Sequence, residues 1–156
     1  MGTTKKQGKV FSINVSKKKG TPKTPVKKAR LIENFGIEGD AHGEAGIRQV
    51  SLLALESIEK QLACPKVQQK GISLKPGDFA ENVTTQGLAL VDLLIGTKLK
   101  IGAEVILEIS KIGKECHKYC AIYYKTGDCI MPREGIFAKV IKAGTIAVSD
   151  SIEIIQ

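Results

Sequence analysis

The chain has no tryptophan, and only four phenylalanines and three tyrosines in 156 residues. That is too few for the row of aromatic platforms on which single-stranded nucleic acid stacks. Long apolar runs are missing too. None approaches the ~18 residues a membrane-spanning helix needs, so no membrane association is expected. The first residues, MGTTKKQGKV, carry charge without an apolar stretch, which argues against a secretory leader. Lys6 stands where a myristoylation signal wants Ser or Thr. Cysteine is sparse, at four. In a chain with no export signal these read as thiols rather than a disulfide framework, and the expected location is cytoplasmic. Acidic residues are absent from the first 30 positions, which hold ten basic side chains. The net charge of +8 therefore belongs to that segment, leaving 14 of the 24 basic groups to face all 16 acidic ones. This is not a uniformly basic nucleic-acid binder.

What is present is an ordinary globular composition, 42% hydrophobic and 26% charged. The length fits one domain over residues 1–156, large enough for a real core. Phe11, Ile13 and Val15 alternate with Ser12, Asn14 and Ser16, the pattern of a half-buried strand. The run Lys17–Lys28, KKKGTPKTPVKK, reads as an exposed loop. Ala29–Glu33 and Gly36–Gly39 look extended. A helix near 51–63 is expected, with Ser51 as its N-cap, Leu52, Leu55, Ile58 and Leu62 on one stripe, a Glu56–Lys60 pair on the wet side, and Pro65 as its stop. From Gly77 onward the pattern is β-like, with Val105, Leu107 and Ile109 alternating and Gly87, Gly96 and Gly102 marking turns. A second helix is expected near 132–142, between Pro132 and Gly144, burying Ile136, Phe137, Val140 and Ile141. Two short strands close the chain at Ile146/Val148 and Ile152/Ile154. The fold class is mostly β, with a few short helices.

Three stretches concentrate reactive groups. Lys114–Cys129, KECHKYCAIYYKTGDC, holds three of the four cysteines and one of the two histidines. Lys114, His117 and Lys118 would lower the pKa of a neighbouring thiol, and thiolate suits a soft metal or sulfur transfer. The spacing lacks the paired CxxC of a structural zinc site, so zinc is not expected. Cysteines are also among the most buried residue types, the plain reading for Cys64 and Cys129. Gly36–Val50, GIEGDAHGEAGIRQV, sets Asp40, His42, Glu44 and Arg48 among glycines, so that either a close backbone approach to a ligand or a solvated turn results. Pro76–Gly87, PGDFAENVTTQG, places Glu81, Asn82, Thr84 and Thr85 in an apolar neighbourhood, as hydrogen-bonding groups or turn caps. Phosphate loops and the GxSxG elbow are absent.

In this order the stretches INVSKKKGTPKTPV, GIEGDAHGEAGIRQVSLL, GDFAENVTTQGLAL, LKIGAEVILEISKIGKECHKYC and GDCIMPREGIFAKVIKAG resemble the MOSC domain, the module named for the C-terminal part of molybdenum-cofactor sulfurases. The likeness spans nearly the whole chain and looks closest to stand-alone bacterial members. It implies a MOSC-type β-barrel and a role in handling molybdenum or sulfur. The family's functional cysteine, which closes a β-strand, maps to Cys116, with Glu115 in place of the usual Arg or Pro and Cys120 as the competing thiol. Cys116 would be the catalytic thiolate and the ligand of molybdenum, if bound. Cofactor contacts would come from Asp40, His42, Arg48, Glu81, Asn82, Thr84, His117, Lys118, Cys120 and Arg133. The family's C-terminal Gly-Asp turn appears here as Ser149-Asp150.

The resemblance implies binding of molybdenum or molybdopterin, or carriage of sulfur on a cysteine for delivery to a metal–sulfur cofactor. One alternative is a small molybdoenzyme, a sulfurtransferase-like or reductase activity, that reduces N-hydroxylated substrates with a separate electron donor. The other is a non-catalytic docking module for cofactor-biosynthesis enzymes. The expected partners are molybdenum-cofactor biosynthesis enzymes or a cysteine desulfurase, and not nucleic acid. Pyridoxal phosphate belongs to the family only through fused desulfurase modules, so none is expected in this chain. The basic segment Lys17–Lys28, with Arg48, would form an electrostatic funnel for a phosphate-bearing cofactor.

Overall fold

The computed structural model describes residues 7–18, 23–41, 43–62, 76–77, 81–112 and 135–155. The elements in chain order are β1 (Gln7–Val15), β2 (Thr24–Val26), β3 (Lys28–Ile32), β4 (Gly36–Ile37), β5 (Val50–Ala54), α1 (Leu55–Leu62), β6 (Val83–Gln86), β7 (Lys98–Ile101), β8 (Val105–Ile112), β9 (Ile136–Lys142), β10 (Gly144–Ala147) and β11 (Ser151–Ile155). The strand patterns predicted a mostly β chain, and the resemblance implied the barrel; both are present.

The barrel closes through β11, β7, β8, β9, β5, β6 and β1, because β1 pairs back onto β11. Closure removes the exposed edges that an open sheet would leave. Every pairing in it is antiparallel except β5 with β6, the one pair joined through a crossover that contains α1. β2 continues the sheet outward from the second half of β1, and β10, β3 and β4 form a separate small sheet. The interior is filled by Val10, Ile13, Leu52, Val83, Leu99, Ile101, Leu107, Ile109 and Val140 with their neighbours, nearly all with no solvent exposure. Each fully buried Leu, Ile or Val contributes about 1.5–3 kcal/mol.

The helix expected near 51–63 is present but shorter. Ser51 is not its cap. Val50–Ala54 is strand, bonded on one side to β9 and on the other to β6, and the helix starts at Leu55. The second expected helix, near 132–142, is a strand over its described part. Ile136–Lys142 is β9, paired with both β5 and β8. Ile136, Phe137, Ala138 and Val140 are all buried, and a strand covered on both faces loses its alternation and looks helical in sequence. The β-branched Ile136, Val140 and Ile141 fit the strand better than the helix. Pro65 and Pro132 lie outside the described residues.

The Ser149-Asp150 turn takes the shape a Gly-Asp turn would. Ser149 adopts φ 79°, a left-handed value uncommon for residues with a side chain. It is held there because Asp150 Oδ2 accepts the Ala147 N–H at 2.8 Å, while Val10 and this turn exchange backbone bonds on either side.

Candidate functional site

Period-2 alternation on β1 sends Phe11, Ile13 and Val15 inward and leaves Ser12 and Asn14 in water. The structure differs. Phe11 is 40% exposed, whereas Ser12 and Asn14 are buried. The register of β1 against β6 shifts between Val10 and Ser12, so Val10 and Ile13 both reach the barrel interior while Ser12 and Asn14 turn to its outer face. There they meet polar groups from β5 and from the stretch leading into β6.

A row forms across three strands. Asn82 N–H donates to the Ser51 carbonyl at 3.0 Å, and Asn14 N–H donates to the Asn82 carbonyl at 2.7 Å. The Asn82 side chain locks the row. Its Oδ1 accepts the Ser51 N–H and the Ser51 hydroxyl, and its Nδ2 donates to the Asn14 carbonyl at 3.3 Å. A second chain of bonds runs along the same face. Ser12 Oγ donates to Asn14 Oδ1 at 2.7 Å, Asn14 Nδ2 to Thr84 Oγ1 at 3.2 Å, and Thr84 Oγ1 to Glu81 Oε2 at 2.7 Å. Every donor in this relay points toward the Glu81 carboxylate, which is fully buried. Successive donors aligned this way polarise one another.

At the edge of this floor, Lys23 Nζ lies 2.7 Å from Asp40 Oδ1, with both side chains fully buried. Asp40 Oδ1 also accepts the Ser16 N–H at 3.0 Å, and Lys23 Nζ donates to Ser16 Oγ at 3.2 Å. Burial alone would raise the Asp40 pKa. The hydrogen bond from Lys23, the Ser16 N–H, the Lys23 charge and the Asn82 side chain together outweigh it and hold the carboxyl below the usual carboxylate range. The basic segment is thus more than the exposed loop expected of it. Thr24–Val26 is strand β2 and Lys23 is interior, while Lys17, Lys18, Lys27 and Lys28 are exposed. The Pro76–Gly77 turn supports Lys23 from the other side. The Gly77 carbonyl accepts the Lys23 N–H at 2.8 Å, and Gly77 sits at φ 95° so close that a Cβ would lie 2.2 Å from the Lys23 carbonyl oxygen.

Along the row, Phe137 pairs with Ser51 and Lys111 pairs with Phe137, so all three share the outer face. The exposed Arg48 guanidinium stands 5.6 Å from the centre of the Phe137 ring, a cation–π distance. One residue beyond this row, Ile112, Ile136 and Leu52 are in register. The β8–β9 connection leaves and rejoins the barrel there.

Of the residues expected at a site, Asp40, Glu81, Asn82 and Thr84 meet in one buried network, and Arg48 lies beside Phe137 at the end of the same row. His42, Cys116, His117, Lys118, Cys120 and Arg133 lie outside the described residues. Among the described residues no group of His, Cys, Asp or Glu is arranged to hold a metal ion, and no helix is long and apolar enough to cross a membrane. Sequence reasoning missed Ser12, Asn14, Ser16, Lys23 and Ser51. The first three alternate as solvent-facing strand residues do, Lys23 sits in a run of lysines, and Ser51 precedes a helix-like stripe.

Comparison with known proteins places this geometry in context. The family model described as MOSC domain matches residues 38–153. The solved structure of the YuaD protein from Bacillus subtilis is similar in fold, with a TM-score of 0.77 at 17% identity, covering 95% of each chain. YiiM from Escherichia coli aligns with a TM-score of 0.70 at 18% identity, over 96% of this chain and 70% of that one. YiiM from Geobacillus stearothermophilus gives 0.69 at 20%, over 96% and 75%. No curated relative matches the chain.

Proposed function

The chain belongs to the MOSC domain family, and from that membership we propose that it binds a molybdenum–pterin cofactor on the outer face of its barrel, with Cys116 as the metal-binding thiolate. The observation that carries the reading is the convergence of Asn14, Asp40, Ser51, Glu81 and Asn82, from separate stretches of chain, on one hydrogen-bonded floor outside the barrel core. A sheet face buried by apolar packing alone has no need of amides, hydroxyls and carboxylates. Such a floor suits a polar ligand above it.

The donor chemistry present fits the group. Arg48, steadied on Phe137, supplies a guanidinium suited to a phosphate. Lys111, on the same face, and the exposed Lys17 and Lys18 add positive charge. Lys23 does not, because Asp40 neutralises it. A thiolate from Cys116 is the soft ligand that molybdenum takes, and its sequence neighbours His117 and Lys118 would favour the ionised thiol. When bound, the metal–pterin group would supply the redox or sulfur-bearing centre. The protein's own residues bind it, exclude water beneath it and keep the floor rigid. The Ser12–Asn14–Thr84 relay fixes one oxygen of the buried Glu81 carboxyl, and the Ser51–Asn82 lock fixes the row on which Phe137 and Arg48 stand.

The test is transfer. Molybdenum cofactor released from a donor enzyme is mixed with the protein and unbound pterin is removed. Retained pterin in the wild type, lost in Cys116→Ser and kept in Cys120→Ser, supports the assignment. Equal retention by wild type and Cys116→Ser would overturn it. The sulfur-carrier version has its own readout, a one-sulfur mass increase on Cys116 after incubation with a cysteine desulfurase and cysteine.

A further inference from the structure

We propose that Lys23 and Asp40 are positioning residues, a buried ion pair that clamps the chain segments around the polar floor into the arrangement the ligand meets. The proposal rests on the reading of this face as the binding face. Its observations are independent of that reading.

The pair gathers five segments at the point where the β1–β2 and β1–β6 ladders end. Ser16 follows β1, Lys23 precedes β2, Asp40 follows β4, Gly77 belongs to the 76–77 turn, and Asn82 precedes β6. Asp40 Oδ1 takes the Lys23 ammonium and the Ser16 N–H. Asn82 acts on the same carboxylate, and its side chain also secures Ser51 and Asn14. The Ala41 N–H returns to the Ser16 carbonyl at 2.8 Å, and the Lys23 N–H goes to the Gly77 carbonyl. Asp40 is therefore the point at which the first loop, the glycine-rich turn and the entry to β6 are tied together.

A buried ion pair is a poor device for stability alone. Removing two charges from water costs much of what their attraction returns, and an apolar pair of similar volume often does as well. What it does supply is direction. The carboxylate demands donors at set angles, and here they come from different segments. An apolar pair would fill the space and leave Ser16 and Asn82 without that acceptor. The clamp also explains why one lysine of the basic run is interior while Lys17, Lys18, Lys27 and Lys28 remain at the surface.

The experiment compares wild type with Asp40→Asn, Lys23→Met and the double variant Lys23→Met/Asp40→Leu. Unfolding midpoints and amide hydrogen exchange are measured without ligand, and retention of molybdenum cofactor is measured after transfer. The double variant restores apolar packing. A role limited to stability would thus leave it with wild-type exchange at the Lys23 and Ala41 amides, whose acceptors are backbone carbonyls, and wild-type retention. The clamp predicts exchange at these amides faster by about tenfold or more, with Leu107 and Val140 in the barrel unchanged. It also predicts a comparable loss of retention, in the double variant and in Asp40→Asn. Should Lys23→Met fail to fold, those two still decide. Unchanged exchange overturns the proposal, and so does faster exchange with full retention. A wild type that retains no cofactor overturns the underlying reading instead, whatever the variants do.

Discussion

Asn82 Oδ1 accepts hydrogen bonds from both the backbone N–H and the hydroxyl of Ser51, at 3.0 and 3.1 Å. Both residues are buried, and water cannot replace either bond without entering the packed face. One side chain thus fixes the spacing of β5 and the start of β6, on which the rest of the polar row depends.

The two ends of this lock are unequal, and mutation should reveal it. Asn82→Leu leaves the Ser51 N–H without this buried acceptor and is predicted to cost about 1–3 kcal/mol. Ser51→Ala removes only the hydroxyl and keeps the backbone bond, with a predicted cost of about 0.5–1.5 kcal/mol. Urea unfolding midpoints give the comparison. Equal costs would mean that the bonds made by the Asn82 side chain beyond the Ser51 hydroxyl contribute nothing.

Acid should act through Asp40. Its folded pKa is depressed below the usual carboxylate range despite burial, because Lys23, Ser16 and Asn82 favour the ionised form. The unfolded chain therefore binds the proton more tightly. The stability this group contributes is present above the unfolded pKa and is lost as pH falls through the folded one. Asp40→Asn is predicted to be less stable than wild type near pH 7, with the gap narrowing as pH falls through and below the usual carboxylate range. Unfolding curves across that range decide. A constant gap would show that the ionised carboxylate contributes nothing.

Thr85 is fully buried, and its Oγ1 has no hydrogen-bond partner among the described residues. Its neighbours in register are Val10 and Ala54, both in the barrel core. Thr85→Val keeps the shape and removes a polar atom that was desolvated without compensation. The variant is predicted to be more stable by about 1 kcal/mol, read as a higher thermal midpoint. A lower midpoint would mean that the hydroxyl is satisfied.

Gly77 and Gly39 separate strain from collision. Both take left-handed φ values, 95° and 84°, but an added Cβ at Gly39 meets nothing within 4 Å, whereas at Gly77 it strikes the Lys23 carbonyl. Gly39→Ala is predicted to cost about 1–2 kcal/mol from backbone conformation alone. Gly77→Ala should cost clearly more and should speed exchange at the Lys23 amide. Equal costs would contradict the close approach at Gly77.

The barrel was legible where alternation was clean. Val105, Leu107 and Ile109 mark β8, and Ile152 and Ile154 mark β11, because one face of each strand is apolar and the other is not. β9 was not legible, since burial on both faces erases the period that distinguishes strand from helix. Asp40, Glu81, Asn82 and Thr84 were legible as polar groups in two separate motifs, which the fold brings into one buried network. Their supports were not. A polar residue facing water and one facing a covered polar floor carry the same period-2 signature, so Ser12 and Asn14 read as surface. Lys23 was masked by the lysines around it, and only the juxtaposition of Asp40, 17 residues away, identifies it.

Molybdenum content tests the account most directly. Wild type and Cys116→Ser are purified from a host that makes the cofactor, and metal per protein chain is measured together with extracted pterin. The account predicts molybdenum and pterin in equal amounts on the wild type and neither on Cys116→Ser. A folded wild type free of both, or a Cys116→Ser variant carrying as much as wild type, would contradict it.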